Sequence, residues 1–235
     1  MNKKYYKHIK SIALLTFTIF FVVISLITFL STQSQAINIQ ESLDLCMREV
    51  DIISSDNPML KFSSNPYDFT VSNEYYDKIV SAGFNALIPL VTELQNSDVS
   101  GLREYIICIA IEEITNSDMK QFEQYQWSNA GNFQPALKTY VQNIDKEVRT
   151  ILDSPVKDMQ EKASDIQKLG AISVIAVGDY YTENKGYNES IDEVLRGLLH
   201  TNSQVTTPSS DLSQITIKSE LAVLQGFIDY VSENL

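Results

Sequence analysis

Ser81 to Leu94 reads SAGFNALIPLVTEL, with a glycine closing one apolar pattern and a proline just inside the next. Tyr76, Ile79 and Val80 recur at helical spacing before it and predict a helix over about 73–82. Gly83 ends that helix in the left-handed conformation that glycine adopts without penalty. Leu87, Leu90, Val91 and Leu94 predict a second helix over about 85–95. Pro89 fits it only near the first turn, where the leading amides have no acceptor inside the helix anyway.

Working outward, apolar residues beyond Ala36 recur at three and four, so the chain reads as all-α. Ile39, Leu43, Cys46, Val50 and Ile53 predict a helix over about 40–54, broken by two Asn-Pro pairs in SSDNPMLKFSSNPYDF. The run YIICIAI inside a helix over 102–115 predicts burial on more than one side. Helices over about 135–152 and 155–169 are expected to begin at Pro135 and Pro155. Between them and the 102–115 helix lies the only tryptophan, Trp127, which with Phe122, Tyr125 and Phe133 reads either as a ligand platform or as a cover over the helix ends. A lone large aromatic ordinarily buries most of its area in packing, which favours the cover.

The opening device returns as KLGAISVIAVGDYY, Lys168 to Tyr181, with Gly170 standing 87 residues after Gly83. At that offset Leu87, Ile88 and Leu90 face Val174, Ile175 and Val177. Two quasi-repeats result, about 73–116 and 158–200, each reading helix, glycine stop, apolar helix, polar loop, amphipathic helix. Ser190 and Glu193 have the spacing of a capping box. A helical domain over 37–200 is thus followed by a linker over 201–210 and a closing helix over 211–235, expected to pack as a cap on the last repeat.

Tyr75 to Ile114 resembles a HEAT-like, armadillo-type helical repeat in its Gly83, Ala86, Leu87, Pro89, Leu90 pattern, its acidic turn at Asp98, and the pair Leu102 and Arg103. The resemblance implies antiparallel helical pairs in a superhelix, with Asp98 and Arg103 helping neighbouring repeats to stack. It implies binding or scaffolding, and no catalytic residue. The second copy departs from the pattern, with Ala176 in place of Pro89, Asp192 in place of Arg103, and Gly178 expected to interrupt the helix, so a compact helical domain stands beside the superhelix as an expectation. The portion beyond Ala36 also resembles uncharacterised exported proteins of Gram-positive bacteria.

The first 36 residues carry a topogenic signal. Lys3, Lys4, Lys7 and Lys10 precede an uncharged run from Ile12 to Leu30, and no lysine follows until Lys61. Nineteen helical residues rise roughly 28 Å, enough to cross a hydrocarbon core. The asymmetry predicts a cytoplasmic N-terminus with the rest of the chain outside the membrane. Two readings stand: a retained single-pass anchor through residues 12–30, or a signal peptide cleaved after Ala36 at the Ser34-x-Ala36 pattern. Beyond Ala36 fourteen basic residues face thirty acidic ones, a formal net charge of −16, which repels nucleic acid and keeps an exported domain soluble. Cys46 and Cys108 both fall on apolar faces, so two buried thiols are expected rather than a disulfide.

Catalytic and cofactor motifs do not emerge. The histidines are His8 and His200, the latter at a helix end where it complements the dipole. HExxH, CxxC, GxGxxG and phosphate-loop patterns are missing, so no cofactor or metal is expected. Glu112 and Glu113 adjoin on a helix and are expected to diverge, while Asp179 with Glu183 and Asp158 with Lys162 read as solvated faces. The functional expectation is an exported, membrane-tethered module that holds a protein or peptide outside the cell. The alternative is a carboxylate-dependent hydrolase acting on a cell-wall polymer.

Overall fold

The computed structural model describes residues 39–184 apart from 53, 57, 58 and 99, and residues 189–200 and 210–235. The apolar run 12–30, the pattern at Ala36, His8 and residues 201–209 lie outside them, as do the side chains of Ser190 and His200. Among the described residues all regular structure is helical, without a strand, and no helix is long and apolar enough to cross a membrane.

α1 (39–52) buries Ile39, Leu43, Cys46 and Val50. α2 (Glu74–Ser81) starts at Asn73, whose Oδ1 accepts from the amides of Tyr75 and Tyr76, satisfying donors that a helix start leaves open. Asn73 is fully buried, and its Nδ2 donates to the carbonyl of Cys46, so the same cap ties α2 to α1. Gly83 follows at φ 60° and opens a single turn, Gly83–Ala86, that leads into α3 (Leu87–Asn96). Pro89 is the third residue of α3, within the first turn, where proline is tolerated.

α4 (Leu102–Thr115) is the central helix. Every residue from Ile106 to Glu112 is buried, as the apolar run requires of a helix packed on several sides. At its start Glu104 accepts from the Gly101 amide and the Ser97 hydroxyl; at its end Asn116 takes the left-handed conformation and lets Ser117 bond back to Glu112.

Two helix starts differ from expectation. α5 (Ala130–Leu152) begins five residues before Pro135, because Asn129 and Asn132 exchange side-chain and backbone bonds and cap it earlier. Pro135 is accommodated in the second turn. α6 (Met159–Lys168) begins four residues after Pro155, because Asp158 and Glu161 form the capping box. Asp158 is thus a cap, and Lys162 donates to the carbonyl of Leu152 rather than pairing with it. α7 (Ser173–Asn184) runs through Gly178 without the interruption expected there.

α8 (Glu189–His200) packs on α6, and α7 packs on α5. In the first half α4 packs on α2 and on α3. α9 (Ser210–Asn234) lies against α3, α5 and the Gly83–Ala86 turn, so its main contacts reach back to the first half rather than only capping the second. Tyr230 meets Thr92 at 2.9 Å and Gln95 at 2.8 Å, and Gln95 donates to the carbonyl of Asn234. One buried cluster extends from Ile39 through α4 to Val231.

Candidate functional site

The C-terminal turn of α4, the loop after it, the turn Pro66–Phe69 and α6 enclose a cleft of about 620 Å³. Its lining includes Glu112 and Glu113 from α4, Asp118 and Lys120 from the loop, Tyr67, and Gln167 and Lys168 from α6. The two adjacent glutamates were expected to diverge, yet both line this cleft, because it wraps around a helix end.

Glu112 is the most constrained of these groups, with only 8% of its surface exposed. Its Oε1 accepts from Trp127 Nε1 and from the Met119 amide, both at 3.0 Å. Burial raises its pKa above the ordinary carboxylate value, against the opposing pull of those two donors and of Lys120. Glu113 is exposed and accepts from the Tyr76 hydroxyl at 2.6 Å.

Trp127 is buried, with its ring edge-on to Phe133 at 4.9 Å and tilted against Tyr105 at 4.8 Å. Phe122 and Tyr125 group instead with Tyr140. Lys120 lies with its ammonium 3.8 Å from the Trp127 ring centre and donates to the Tyr105 hydroxyl at 3.1 Å. Burial alone lowers its pKa, but the Tyr105 bond and the charge of Glu112 outweigh that and hold it above the ordinary lysine value.

The remaining singled-out residues lie elsewhere. Arg103 donates to Glu93 of α3 at 3.2 Å and to Asp44 of α1 at 3.1 Å, joining three helices. Asp98 is exposed. Pro89 lines a second, apolar groove of about 460 Å³ with Ile39, Phe84 and Val223. Gly170 has φ 67° and abuts the end of α4. Glu183 pairs with Arg149 on the surface, and Asp179 is exposed, so neither joins the glutamates of the cleft. Cys46 and Cys108 are free and buried; burial pushes the Cys46 thiol up to about 11 and raises that of Cys108 as well. Among the described residues no group of acidic, histidine and cysteine side chains has the arrangement of a metal site.

Sequence alone singled out Trp127 and the two glutamates but missed Lys120. Its partners come from three segments, and only the fold brings them together. Compared with protein families, with curated proteins and with solved structures, the chain matches none.

Proposed function

We propose that this chain is an extracytoplasmic, membrane-tethered helical module that binds a protein or peptide, with HEAT-like helical pairs as its frame. The observation that carries the reading is the cleft of about 620 Å³ at the end of α4, built from both halves of the domain and walled by carboxylates, amides, two lysines and an exposed tyrosine. Such mixed walls suit a peptide, which offers donors, acceptors and side chains together. Support for the frame comes from Gly83 and Gly170, both at positive φ before an apolar helix, and from α4 on α2 matched by α8 on α6. The lysines before residues 12–30 support the orientation, and the length of that apolar run, greater than a usual signal-peptide core, supports the tether.

The test is photocrosslinking in membranes, with a photoreactive residue at Gln167. A discrete adduct is expected from that position and none from exposed Thr139 on α5. Equal labelling from both positions, or none from either, sinks the reading. Protease added to intact protoplasts is expected to digest the domain, and its protection would reverse the topology.

A second reading, hydrolysis of a cell-wall polymer, draws on Glu112 and Glu113 lining one cleft, the first held toward its protonated form and the second exposed. It requires the purified chain to release reducing ends or peptide stems from cell-wall sacculi. Loss of that release in Glu113→Gln would support it, and no release from the wild-type chain removes it.

A further inference from the structure

Among the described residues, five of the six large apolar side chains that are exposed, Ile52, Met59, Phe62, Tyr67 and Val71, fall within the one stretch 52–71. Apolar residues scattered singly over a surface need no account, but a concentration of this kind does. Met59 and Phe62 are 79% and 84% exposed and stand three apart on the single turn Leu60–Phe62, where the Phe62 amide donates to the Met59 carbonyl at 3.2 Å. In a turn of this pitch side chains three apart eclipse, so the two project on the same side. Leu60 between them packs against the core. The next turn, Pro66–Phe69, is fastened by buried Phe69, and its Asp68 accepts from the Ser63 hydroxyl at 2.5 Å and from Asn65 Nδ2 at 2.9 Å. The apolar pair is therefore presented on a braced edge.

Charge and chain length point to what covers it. The formal charge beyond Ala36 is −16, yet between Asp56 and Asp68 the sequence carries a single charge, Lys61. An apolar pair next to one lysine and no acid suits the boundary between headgroups and acyl chains. Eight residues, 31–38, separate the apolar run from Ile39 and extend to at most about 28 Å. α1 is roughly 21 Å long, so the tether lets α1 lie along the bilayer with the turn against the surface. We propose that Met59 and Phe62 form the apolar tip by which this domain docks on the leaflet it faces. The docking rests on the membrane-tethered reading and adds the surface against which the module lies. Two side chains bind a bilayer weakly by themselves, but a tether makes the contact intramolecular, and weak contact then suffices. Tyr67, on the adjoining turn, lines the cleft, so docking holds the cleft beside the bilayer.

The test uses the full chain reconstituted in vesicles of equal parts phosphatidylcholine and phosphatidylglycerol, with the acyl chains of the phosphatidylcholine brominated. Phe62→Trp places an emitter at the tip, and Thr139→Trp places one at an exposed position of α5; buried Trp127 supplies the same background to both. Emission from Phe62→Trp is expected to shift to the blue and to be quenched by bromine, and that from Thr139→Trp to do neither. No quenching in Phe62→Trp, or equal quenching in both, overturns the proposal. A blue shift that grows with protein density and is not quenched also overturns it, since a second copy would then cover the tip.

An independent readout needs no added tryptophan. Peroxide converts accessible methionine to its sulfoxide, and docking shields Met59 from it. Phe62→Asp, a substitution at an exposed position, is expected to raise Met59 oxidation severalfold relative to half-buried Met159, in vesicles but not in detergent. An unchanged ratio overturns the docking. Carbonate washing of the same vesicles separates the two readings. A chain that the wash retains but bromine does not quench removes the docking alone, whereas a chain released by the wash removes the tether and the docking together. The crosslinking test at Gln167 reads the cleft and stands apart from both.

Discussion

The amide of Ala171 donates to the carbonyl of Thr115 at 2.7 Å, and this seats the left-handed Gly170 on the last turn of α4. A Cβ built at Gly170 lies 2.6 Å from the carbonyl oxygens of both Thr115 and Asn116. These are backbone atoms and cannot turn aside as a side chain would. Gly170→Ala therefore combines a disfavoured φ with a steric overlap, and is expected to destabilise by about 3 kcal/mol or more. For a domain of this size the melting temperature should fall by about 10 °C. An unchanged melt would show that the junction of α4 and α6 relaxes freely.

Glu112 makes a prediction in which charge and hydrogen bonding separate. Both of its bonds fall on Oε1, which the amide oxygen of glutamine can replace, so Glu112→Gln is expected to stay within about 1 kcal/mol of wild type at neutral pH. Glu112→Ala strands the Trp127 and Met119 donors in a buried place and should cost about 3 kcal/mol. The pH dependence has a definite sign. Burial raises the folded-state pKa above 4.5, so below 4.5 both folded and unfolded states are protonated. As pH rises above 4.5 the unfolded state releases its proton first, and stability falls until Glu112 ionises in the folded state too. Denaturant melts of wild type minus Glu112→Gln, taken from pH 4 to pH 8, should show that decline in the difference; a flat difference would deny the raised pKa.

What was legible in the sequence was periodicity and local stops. The uninterrupted apolar middle of α4 announced burial on every side, and Gly83 and Gly170 stood out because few residues tolerate their conformation. The start of α5 was not legible, because Pro135 is a stronger visible signal than two asparagines whose reciprocal bonds appear only in three dimensions. Amphipathicity in α9 showed that it has a buried face, but Thr92 and Gln95, some 135 residues away, had nothing in sequence to mark them as partners of Tyr230. The cleft was hidden for the same reason. Glu112 and Trp127 are separated by a loop whose path decides whether they meet.

Gly178, Gly197 and Gly226 lie inside α7, α8 and α9, and a Cβ at any of them meets nothing within 4 Å. None has a positive φ. Each Gly→Ala change is expected to stabilise by about 0.5–1 kcal/mol, through helix propensity and the entropy of the unfolded chain. The three should add, because they sit on separate helices. Thermal melts of the single and triple variants check this, and a destabilised single variant would mean that its glycine admits a close approach the isolated chain does not contain.

Gly83 and Pro89 should respond oppositely to substitution, because one supplies a conformation and the other merely tolerates its place. Gly83 stands at φ 60° between α2 and the turn into α3. Gly83→Val forces a β-branched residue to positive φ and should cost about 1–3 kcal/mol. Pro89 is the third residue of α3, so its ring fixes a φ that the first turn of the helix already adopts. Pro89→Ala should therefore change stability by less than about 1 kcal/mol. A proline deeper in a helix would behave otherwise, since replacing it restores a hydrogen bond and relieves a clash worth up to about 3 kcal/mol. Pro135, in the second turn of α5, is the internal control, and Pro135→Ala should stabilise more than Pro89→Ala. Melts of the three variants decide the matter: a large rise for Pro89→Ala, or indifference to Gly83→Val, would mean that α2 and α3 are joined in some other way than by a left-handed stop and a proline-tolerant first turn.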